Sequence, residues 1–264
     1  MQIDLHPLHL PEQDFLRLFQ KLGPSLGLWR AAEIACLRGA LAGERKDAPV
    51  LDLGCGDGLV TSFVLAGLSQ PLEVTGLDLD RQALEHAGRL GIYSRLVPFP
   101  VEDAGLEEGS FAVVMSNSVL EHIQRIDDAL AAAARALKPG GALIFTCPTE
   151  AFSGWLALPG TRYAAARNRH FQHLNLWPVE EWARRLSRVD LSVECVKPVM
   201  RRGWVRAWDV LELLQMIRFG GRRLFGRLWR RLPEGWLAFL ARQAARIDLS
   251  APPPGGGRMI IARK

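Results

Sequence analysis

Short apolar runs and longer amphipathic stretches alternate along this chain. The apolar runs at 50–53, 72–77, 94–98, 111–115 and 142–147 have the length and the flanking loop residues of buried strands. The stretches between them repeat their apolar positions with a helical period, and glycine, proline or aspartate separates the two kinds of segment. This alternation predicts an α/β fold with a doubly wound, mostly parallel sheet.

The regions before and after this core are predicted to be mainly helical. Two helical stretches, divided by Gly23-Pro24, precede the core, and Ser25 is a candidate N-cap for the second. Beyond the core, 191–196 reads as a sixth strand and 259–262 as a final short strand. Three parts are predicted: N-terminal helices that cover a ligand site (1–47), a core (48–200 with 256–264), and a helical insertion that forms a cap (201–255).

A glycine-rich loop follows the first predicted strand, in the sequence Val-Leu-Asp-Leu-Gly-Cys-Gly-Asp-Gly at 50–58. Open parallel sheets bind ligands at the carboxyl ends of their strands, and glycines let the backbone approach a ligand closely. A dinucleotide-binding G-x-G-x-x-G pattern would need glycine where the sequence has Leu59, and the phosphate-binding G-x-x-x-x-G-K-[ST] pattern is absent. Asp52, two places before the first glycine, favours a cationic ligand over a pyrophosphate.

An aspartate also follows the second predicted strand. Asp78 is placed to accept hydrogen bonds from both hydroxyls of a ribose, as acids at this position do in nucleotide-binding sheets. The alternative role, capping of the next helix, is already met by Asp80. Together with the glycine loop, Asp78 therefore indicates a ligand that contains adenosine.

Four blocks between residues 48 and 148 resemble the class I S-adenosylmethionine-dependent methyltransferase superfamily, in particular its small-molecule type. The blocks are 50–58, 74–78, 110–123 and 135–141. The resemblance implies a Rossmann-like, seven-stranded sheet whose last strand is antiparallel, for which 259–262 is the candidate. It also implies S-adenosylmethionine as cofactor and S-adenosylhomocysteine as product. The ammonium and sulfonium groups of that cofactor agree with the acid at position 52.

The resemblance and the loop together predict the residues that contact the cofactor. They are Asp52, Gly54, Cys55, Gly56, Asp57, Gly58, Asp78, Leu79, Asp103 and Asn117. The family places an acid after the third strand to contact adenine, where Glu102 and Asp103 both qualify, and we favour Asp103. The family commonly has Phe-Asp at the start of the fourth strand, whereas here Phe111 is followed by Ala112, which we interpret as the loss of a structural acid.

Two histidines are candidate general bases. His122, in a Leu-Glu-His triplet after the fourth strand, titrates near neutral pH when unperturbed, which suits a base. The same triplet occurs across the family in enzymes with different acceptors, so a histidine that packs under the cofactor loop is an equally good interpretation. His173 is the second candidate.

The segment 167–177 around His173 is rich in polar and aromatic residues. It resembles a segment that faces the acceptor in methyltransferases acting on cell-envelope glycans or lipids. We therefore predict Asn168, His170 and Trp177 as substrate residues, with hydrogen bonding within a loop as the alternative.

The residues around His122 also bear on whether a metal ion assists the reaction. Similar ubiquinone-type O-methyltransferases carry Glu-x-x-Glu-His here, whereas this chain has Ser118 in place of the first acid, followed by Glu121 and His122. Two remaining ligands make a poor site for a hard cation that prefers several oxygens. We therefore expect no metal.

Composition and charge bear mainly on partners and location. The formal net charge is +5, and arginines crowd 201–231 beside tryptophans. The segment 204–246 has three interpretations: a cap over the acceptor, a cap that also contacts a membrane surface, or, least favoured, a nucleic-acid surface. No uncharged apolar run reaches about 18 residues, the N-terminus is unlike a secretory signal, and the four cysteines form no Cys-x-x-Cys pair. We expect a cytoplasmic protein, with the inner membrane face as a candidate site of peripheral contact.

The favoured function is methyl transfer to an oxygen, and less readily to nitrogen or carbon, of a small-molecule, glycan or lipid-linked acceptor. One alternative is a non-catalytic protein that binds the cofactor or a membrane surface. The other is an RNA or protein methyltransferase. The acceptor itself is not specified by the fold.

Overall fold

The computed structural model describes residues 1–44, 49–219, 222–223 and 232–264. The strands are β1 (Gln2–Ile3), β2 (Val50–Leu53), β3 (Val74–Leu77), β4 (Arg95–Val97), β5 (Phe111–Asn117), β6 (Leu137–Pro148), β7 (Ser192–Val199), β8 (Arg218–Phe219), β9 (Arg222–Arg223) and β10 (Gly257–Arg263). The α-helices are α1 (Glu12–Leu22), α2 (Pro24–Gly43), α3 (Leu59–Ala66), α4 (Arg81–Arg89), α5 (Ile126–Ala136), α6 (Phe152–Trp155), α7 (Thr161–Phe171), α8 (Val179–Ser187), α9 (Arg202–Met216) and α10 (Glu234–Ala245). Two short 3₁₀ helices are η1 (Val101–Asp103) and η2 (Leu120–His122).

The main sheet has the strand order β1-β7-β10-β6-β5-β2-β3-β4. All its neighbouring pairs are parallel except those of β10, which runs antiparallel to both β6 and β7. The predicted α/β fold and the antiparallel last strand are therefore confirmed. The chain leaves β2 for β3 on one side and later returns to β5 on the other, so the carboxyl end of β2 lies at the point where the order reverses.

Successive residues of the central strands point to opposite faces of the sheet. On β2, Val50 belongs to the core on one face and Leu51 to the core on the other, and Val113 and Val114 of β5 divide in the same way. Residues of α1, α2, α3, α9 and α10 complete the first core, whereas α5, α8 and η1 complete the second. Both faces of the sheet are thus covered, which explains why its strands are apolar throughout.

Within the described residues the main sheet has eight strands, one more than predicted. The additional strand is β1, which pairs in parallel with the edge strand β7. The buried ammonium of Lys197 on β7 donates to Asp4 Oδ2 at 2.7 Å and to the carbonyl oxygen of His6 at 3.0 Å, which fixes the N-terminal segment. A strand of two residues is too short for apolar periodicity to detect.

The N-terminal helices and the insertion pack together on one face of the sheet. Helix α2 contacts α1 and α9, and α1 also contacts α10. The predicted insertion 201–255 is not helical throughout, because β8 and β9 form an antiparallel pair on either side of the expected break at Gly220-Gly221. Part of the predicted basic block lies outside the described residues, namely Arg227, Trp229, Arg230 and Arg231. The division into three parts stays a prediction, since all three contribute to one apolar core.

None of the helices in the described ranges combines the length and the apolar character needed to cross a membrane.

Candidate active site

The glycine-rich loop 54–58 lies at the carboxyl end of β2, beside the end of β3. Gly54, Gly56 and Gly58 have φ angles of 78°, 54° and 75°, a range that residues with a side chain adopt only with strain. The N–H of Gly54 donates to the carbonyl oxygen of Leu77 at 2.7 Å, which ties the loop to β3. A Cβ atom at Gly56 would meet no protein atom within 4 Å. A ligand can therefore approach the loop backbone at Gly56.

Asp78 lies directly after β3, and its carboxylate faces this loop. Its Oδ2 accepts a hydrogen bond from the N–H of Gly56 at 2.7 Å, and its Oδ1 accepts one from the N–H of Asp80 at 2.9 Å. Asp80, in turn, caps α4 by accepting from the N–H groups of Gln82 and Ala83. Asp78 is therefore not the helix cap. Each of its oxygens keeps a lone pair for a further donor such as a ribose hydroxyl.

Asp52 is buried beneath the loop. Its Oδ2 accepts hydrogen bonds from the hydroxyls of Thr61 at 2.5 Å and Tyr93 at 2.7 Å. Burial raises the pKa of this carboxyl to about 6, while the two hydroxyls oppose the rise. The geometry makes Asp52 a link between β2, α3 and Tyr93 in the segment before β4, and its negative charge can act on a cationic ligand through the loop.

Two other predicted residues of the loop differ in what they offer a ligand. The side chain of Cys55 is buried next to Gly76, so only its backbone faces the loop. Asp57 is exposed, and its Oδ1 accepts a hydrogen bond from the N–H of Leu59 at 3.0 Å, at the start of α3. The loop thus presents mainly backbone groups and one exposed carboxylate.

Two large apolar side chains are exposed beside Asp78. Leu79, which was predicted, is 69% exposed, and Phe99, which was not, is 48% exposed. Phe99 follows β4, whose neighbour in the sheet is β3, and it stands between Pro98 and Pro100. An apolar residue held open between two prolines at the end of a strand is the sequence signal that could have identified it. The two side chains offer an apolar surface suited to an aromatic base.

The two candidate acids for the adenine contact lie in η1 and differ in exposure. Glu102 is partly buried, with Oε1 4.0 Å from Arg125 NH1, whereas Asp103 is exposed. The choice of Asp103 stays a prediction that its exposure favours.

Asn117 and Ser118, at the end of β5, connect the loop region to α2. Asn117 Oδ1 accepts a hydrogen bond from Thr146 Oγ1 at 3.0 Å. Ser118 has a φ of 51°, and its hydroxyl donates to Oε1 of the buried Glu33 on α2. Glu33 also accepts from Trp29 Nε1 at 2.9 Å, so the turn after β5 is fixed against the N-terminal helices.

A cavity of about 140 Å³ lies beyond this turn, and we call it the aromatic cavity. Its walls are formed by Leu26, Trp29, Arg30, Ser118, Glu121, His122, Pro148, Phe152, Phe171, His173 and Trp208. Trp29, Phe152 and Trp208 contact one another with ring centroids 5.1 to 5.7 Å apart. The cavity is therefore an apolar, aromatic space with a few polar side chains on one wall.

Both candidate bases line this cavity. The rings of His122 and His173 stack with centroids 5.5 Å apart. His122 Nδ1 lies 3.1 Å from the carbonyl oxygen of Gln172, and the side chain is 36% exposed. Burial, and to a smaller extent His122, lowers the pKa of His173 to about 4. His173 is therefore neutral at physiological pH.

Glu121 is the buried acid of the same wall. Its Oε1 lies 3.7 Å from His122 Nε2, and among the described residues its buried Oε2 has no hydrogen-bond partner. Burial raises the pKa of this carboxyl to about 8. One ligand atom each from Glu121, His122 and His173 lie within 4.8 Å of one another. The expectation of no metal rested on Glu121 and His122 alone and did not include His173.

Residues 28–196 match a family model described as a methyltransferase domain, and this match covers more than half of the chain. This chain belongs to the methyltransferase-domain family. The matched range begins within α2 and ends in β7, so it includes the glycine loop, Asp78 and both histidines of the aromatic cavity. Helices α9 and α10 lie beyond it.

Curated relatives of the methyltransferase domain include two kinds of O-methyltransferase. The chain is 38% identical over 133 residues to the ubiquinone biosynthesis O-methyltransferase of Thiobacillus denitrificans, covering 48% of this chain and 54% of the relative. It is 35% identical over 102 residues to the malonyl-[acyl-carrier protein] O-methyltransferase of Enterobacter lignolyticus, covering 39% of each. The matched segment thus spans about half or less of the length of these relatives.

Solved structures show the same fold at low sequence identity. Geranyl diphosphate methyltransferase in complex with S-adenosylmethionine aligns with a TM-score of 0.60 at 16% identity, covering 100% of this chain and 99% of that one. Phosphoethanolamine N-methyltransferase 2 of Haemonchus contortus aligns with a TM-score of 0.59 at 18% identity, covering 95% of this chain and 60% of that one.

The predicted substrate residues of the methyltransferase domain take different places. Asn168 lies beside the aromatic cavity, where its Nδ2 donates to Ser153 Oγ at 2.8 Å and its Oδ1 lies 3.4 Å from His173 Nδ1. His170 is exposed and is not among the residues that line the cavity. Trp177 is directed elsewhere, because its ring lies 4.0 Å below the Arg185 guanidinium and lines a separate surface cavity. The substrate role of Trp177 therefore has the least geometric support.

Several residues of the aromatic cavity were missed because they lie far from the recognised blocks. Trp29 and Arg30 come from α2, where they read as positions of a buried helix. Trp208 comes from α9, and its indole Nε1 is buried without a hydrogen-bond partner in the described part of the chain. No local sequence signal marks these residues as neighbours.

Proposed function

We propose that this chain transfers a methyl group from S-adenosylmethionine to an oxygen atom of an acceptor held in the aromatic cavity. The observation that carries the proposal is that the glycine loop and the cavity share a wall. A Cβ atom at Gly54 would collide with the side chain of Val119, and Ser118, Glu121 and His122 around Val119 line the cavity. A cofactor at the loop and an acceptor in the cavity would therefore lie side by side.

The cofactor half of the proposal rests on the loop and its acids. Backbone groups at Gly56 face open space, Asp78 presents two fixed carboxylate oxygens, and Leu79 and Phe99 provide an apolar surface. This set is suited to the amino-acid part, the ribose and the adenine of S-adenosylmethionine, respectively. The product, S-adenosylhomocysteine, must leave the site after each reaction, so these contacts have to be reversible.

The chemistry asks little of the protein beyond positioning. The acceptor oxygen attacks the methyl carbon in line with the bond to sulfur, and that bond breaks with its electron pair left on sulfur as a neutral thioether. The hydroxyl proton of the acceptor must leave. His122 is better suited than His173 to accept it, because the burial that lowers the pKa of His173 to about 4 makes it a weak base.

The acceptor is proposed to be a small or lipid-linked molecule with an apolar or aromatic group. The aromatic rings around the cavity support this, since they provide an apolar surface of limited volume. Transfer to oxygen is supported by the two relatives described above, which are O-methyltransferases. Transfer to nitrogen or carbon would use the same geometry.

Ligand-dependent stability tests the cofactor, and labelled methyl transfer tests the reaction. S-adenosylmethionine or S-adenosylhomocysteine at a hundred times its dissociation constant should stabilise the fold by about 2.7 kcal/mol, whereas NAD should not. Cell extract incubated with the enzyme and methyl-labelled cofactor is then divided into small-molecule, lipid, glycan, protein and RNA fractions, and label is expected in the lipid or small-molecule fraction. Binding without any transfer would favour a non-catalytic cofactor-binding protein. Label in protein or RNA would favour an RNA or protein methyltransferase.

A membrane contact is a second part of the proposal, carried by the exposed face of α9. Val210, Leu214 and Ile217 share one face by their spacing and are 45%, 40% and 44% exposed. Arg202 and Arg206, both exposed, lie nearer the start of the helix and line a groove with apolar residues. An apolar stripe beside arginines is the pattern of a helix that lies on an anionic lipid surface.

The acids of α9 do not neutralise this face. Asp209 is fully buried and accepts a hydrogen bond from the Tyr163 hydroxyl at 2.6 Å, with Arg167 Nε at 2.9 Å. Glu212 accepts a hydrogen bond from Ser25 at 2.5 Å. The cytoplasmic face of a membrane, which is anionic, would therefore be the matching surface.

Flotation with lipid vesicles tests this contact. Wild-type protein should float with vesicles that contain phosphatidylglycerol and remain behind with pure phosphatidylcholine. Val210→Glu and Leu214→Glu together should abolish flotation, whereas Leu5→Glu, at an exposed apolar residue elsewhere, should not. Equal loss in both variants, or binding to RNA in place of vesicles, would refute the membrane contact.

A further inference from the structure

The wall of the aromatic cavity carries a compact group of potential metal ligands. Glu121 and His122 come from η2, and His173 follows α7 about 50 residues later in the chain. The fold brings them together because the backbone N–H groups of Leu174 and Asn175 donate to the carbonyl oxygen of Glu121 at 2.8 and 3.1 Å. The three side chains are therefore held by the backbone and do not meet by chance at a mobile surface.

The surroundings of His122 fix which of its nitrogens is free. Its Nδ1 lies 3.1 Å from the carbonyl oxygen of Gln172, which can only accept a hydrogen bond. Nδ1 is therefore the donor of this hydrogen bond, and Nε2, 3.7 Å from Glu121 Oε1, faces the other two side chains of the group. A histidine that donates from one nitrogen to a carbonyl oxygen is oriented to bind a metal through the other.

The surroundings of His173 act in the same sense. Its Nδ1 lies 3.4 Å from Asn168 Oδ1, and Asn168 Nδ2 donates to Ser153 Oγ at 2.8 Å. The amide oxygen can only accept, so it favours a proton on Nδ1 and a lone pair on Nε2.

Glu121 supplies a buried carboxyl group with one oxygen that is not hydrogen-bonded within the described residues. Its Oε2 is buried and has no hydrogen-bond partner in the described residues, although a buried polar atom of this kind is costly. Arg30, which also lines the cavity, forms its ion pair with Glu33. A cation at the site would satisfy the free oxygen and favour the ionised carboxylate.

We propose that Glu121, His122 and His173 bind one divalent transition-metal ion in the wall of the aromatic cavity. Two imidazoles and one carboxylate suit zinc, cobalt, iron or manganese better than magnesium, which prefers oxygen ligands and retains water. Ligand atoms about 2.1 Å from one ion lie at most about 4.2 Å apart. The present separations of up to 4.8 Å thus require only a small closure of the side chains.

The role of the ion rests on the proposed methyl transfer. An ion with three protein ligands would keep coordination positions for the oxygen of an acceptor hydroxyl. Its charge would lower the pKa of that hydroxyl, so the proton could leave to water without a protein base. With the ion bound, His122 and His173 would serve as ligands, and water would replace His122 as the proton acceptor.

Metal titration of the full chain tests the site without cofactor or acceptor. Protein freed of metal by a chelator is titrated separately with Co²⁺, followed by its visible absorption, and with Mg²⁺, followed by calorimetry. We expect one Co²⁺ per chain, with an affinity at least about tenfold higher than that for Mg²⁺. His173→Gln and Glu121→Gln should each weaken Co²⁺ binding by at least about tenfold. His86→Gln, at an exposed histidine on α4, should change it less than about twofold.

Each outcome of this titration bears on the proposal. Unaltered Co²⁺ affinity in His173→Gln, an equal loss in His86→Gln, or no saturable binding by the wild type would overturn it. His173→Gln decides the question if Glu121→Gln does not fold. S-adenosylhomocysteine affinity, measured on the same preparations, separates the two proposals, since its loss with Co²⁺ binding retained would contradict the cofactor site alone.

Discussion

The glycine loop at the end of β2 takes its shape from backbone hydrogen bonds, whereas the aromatic cavity beside it is enclosed by side chains from distant parts of the chain. The loop and the residues that face it lie between residues 50 and 103. The cavity draws on α2, the turn after β5, α6, the end of α7 and α9. A site shaped by the backbone tolerates few changes in sequence, while a site enclosed by side chains can change its ligand without changing the fold.

The largest expected effect is on turnover, and it tests the role of the cavity wall. His122→Gln removes a proton acceptor or a metal ligand from the reacting groups, so kcat should fall by about a hundredfold or more. The affinity for S-adenosylhomocysteine should stay within about twofold, because His122 lies on the cavity side of Val119. Steady-state kinetics and calorimetry measure the two quantities. An unchanged kcat would mean that His122 only packs under the cofactor loop and takes no part in the reaction.

The loop side of the comparison is tested at Asp78. Asp78→Ala removes the carboxylate that faces Gly56, so S-adenosylhomocysteine should bind about 10- to 100-fold more weakly, in line with hydrogen bonds to a charged group. Asp80→Ala is the matched control, because it removes the cap of α4 and should lower Tm with little effect on affinity. Equal affinities in the two variants would remove Asp78 from the cofactor site.

Two phenylalanines allow the loop and the cavity to be separated by a crossed pair of variants. Phe99→Ala should weaken S-adenosylhomocysteine binding by about fivefold to tenfold through lost apolar contact, without changing the acceptor KM. Phe171→Ala should raise the acceptor KM by a similar factor and leave cofactor affinity unchanged. If both variants changed both quantities, the two sites would not be independent.

The smallest expected effect concerns stability and the buried acid of the cavity. Burial raises the pKa of Glu121 to about 8, against about 4.3 in the unfolded chain. Between these values the folded chain holds a proton that the unfolded chain releases, so stability is full below about pH 4.3 and falls as pH rises towards 8.

Glu121→Gln removes this titration while keeping the size of the side chain. With a chelator present, the Tm of the variant should exceed that of the wild type by a margin that grows from pH 5 to pH 8, at about 2 to 4 °C for each kcal/mol. Glu85→Gln, at an exposed glutamate on α4, should show no such trend. A constant difference across this range would mean that Glu121 is ionised in the fold.

The same contrast explains what the sequence could predict. The strands, the Asp80 cap and the loop with Asp78 are set by neighbours within about twenty residues, so periodicity and motif spacing identify them. The proximity of His173 to His122 depends instead on Asn175, whose Nδ2 donates to the carbonyl oxygens of Leu120 and Ile123 at 2.8 Å. Contacts between residues so far apart along the chain produce no periodic pattern in a single sequence.

The expected role of Ser25 as a helix cap was wrong, because a tertiary contact determines the partner of its hydroxyl. Ser25 was expected to cap α2, but the helix begins at Pro24, which has no N–H to satisfy at the first position. The Ser25 hydroxyl donates instead to Glu212 of α9 at 2.5 Å. The hydroxyl thus joins two helices that lie far apart in the sequence.

The short strand β1 has a consequence for the order in which the molecule assembles. Its anchor, the bond between Asp4 and Lys197, joins residues 193 positions apart. Contacts across such separations form late, because the chain between them must first become compact. Residues 2–4 leave the ribosome before β7 does, and they must wait in an unpaired state until that strand has been made. A chaperone or a fused tag that occupied this segment during synthesis would therefore compete with the closing step of the sheet.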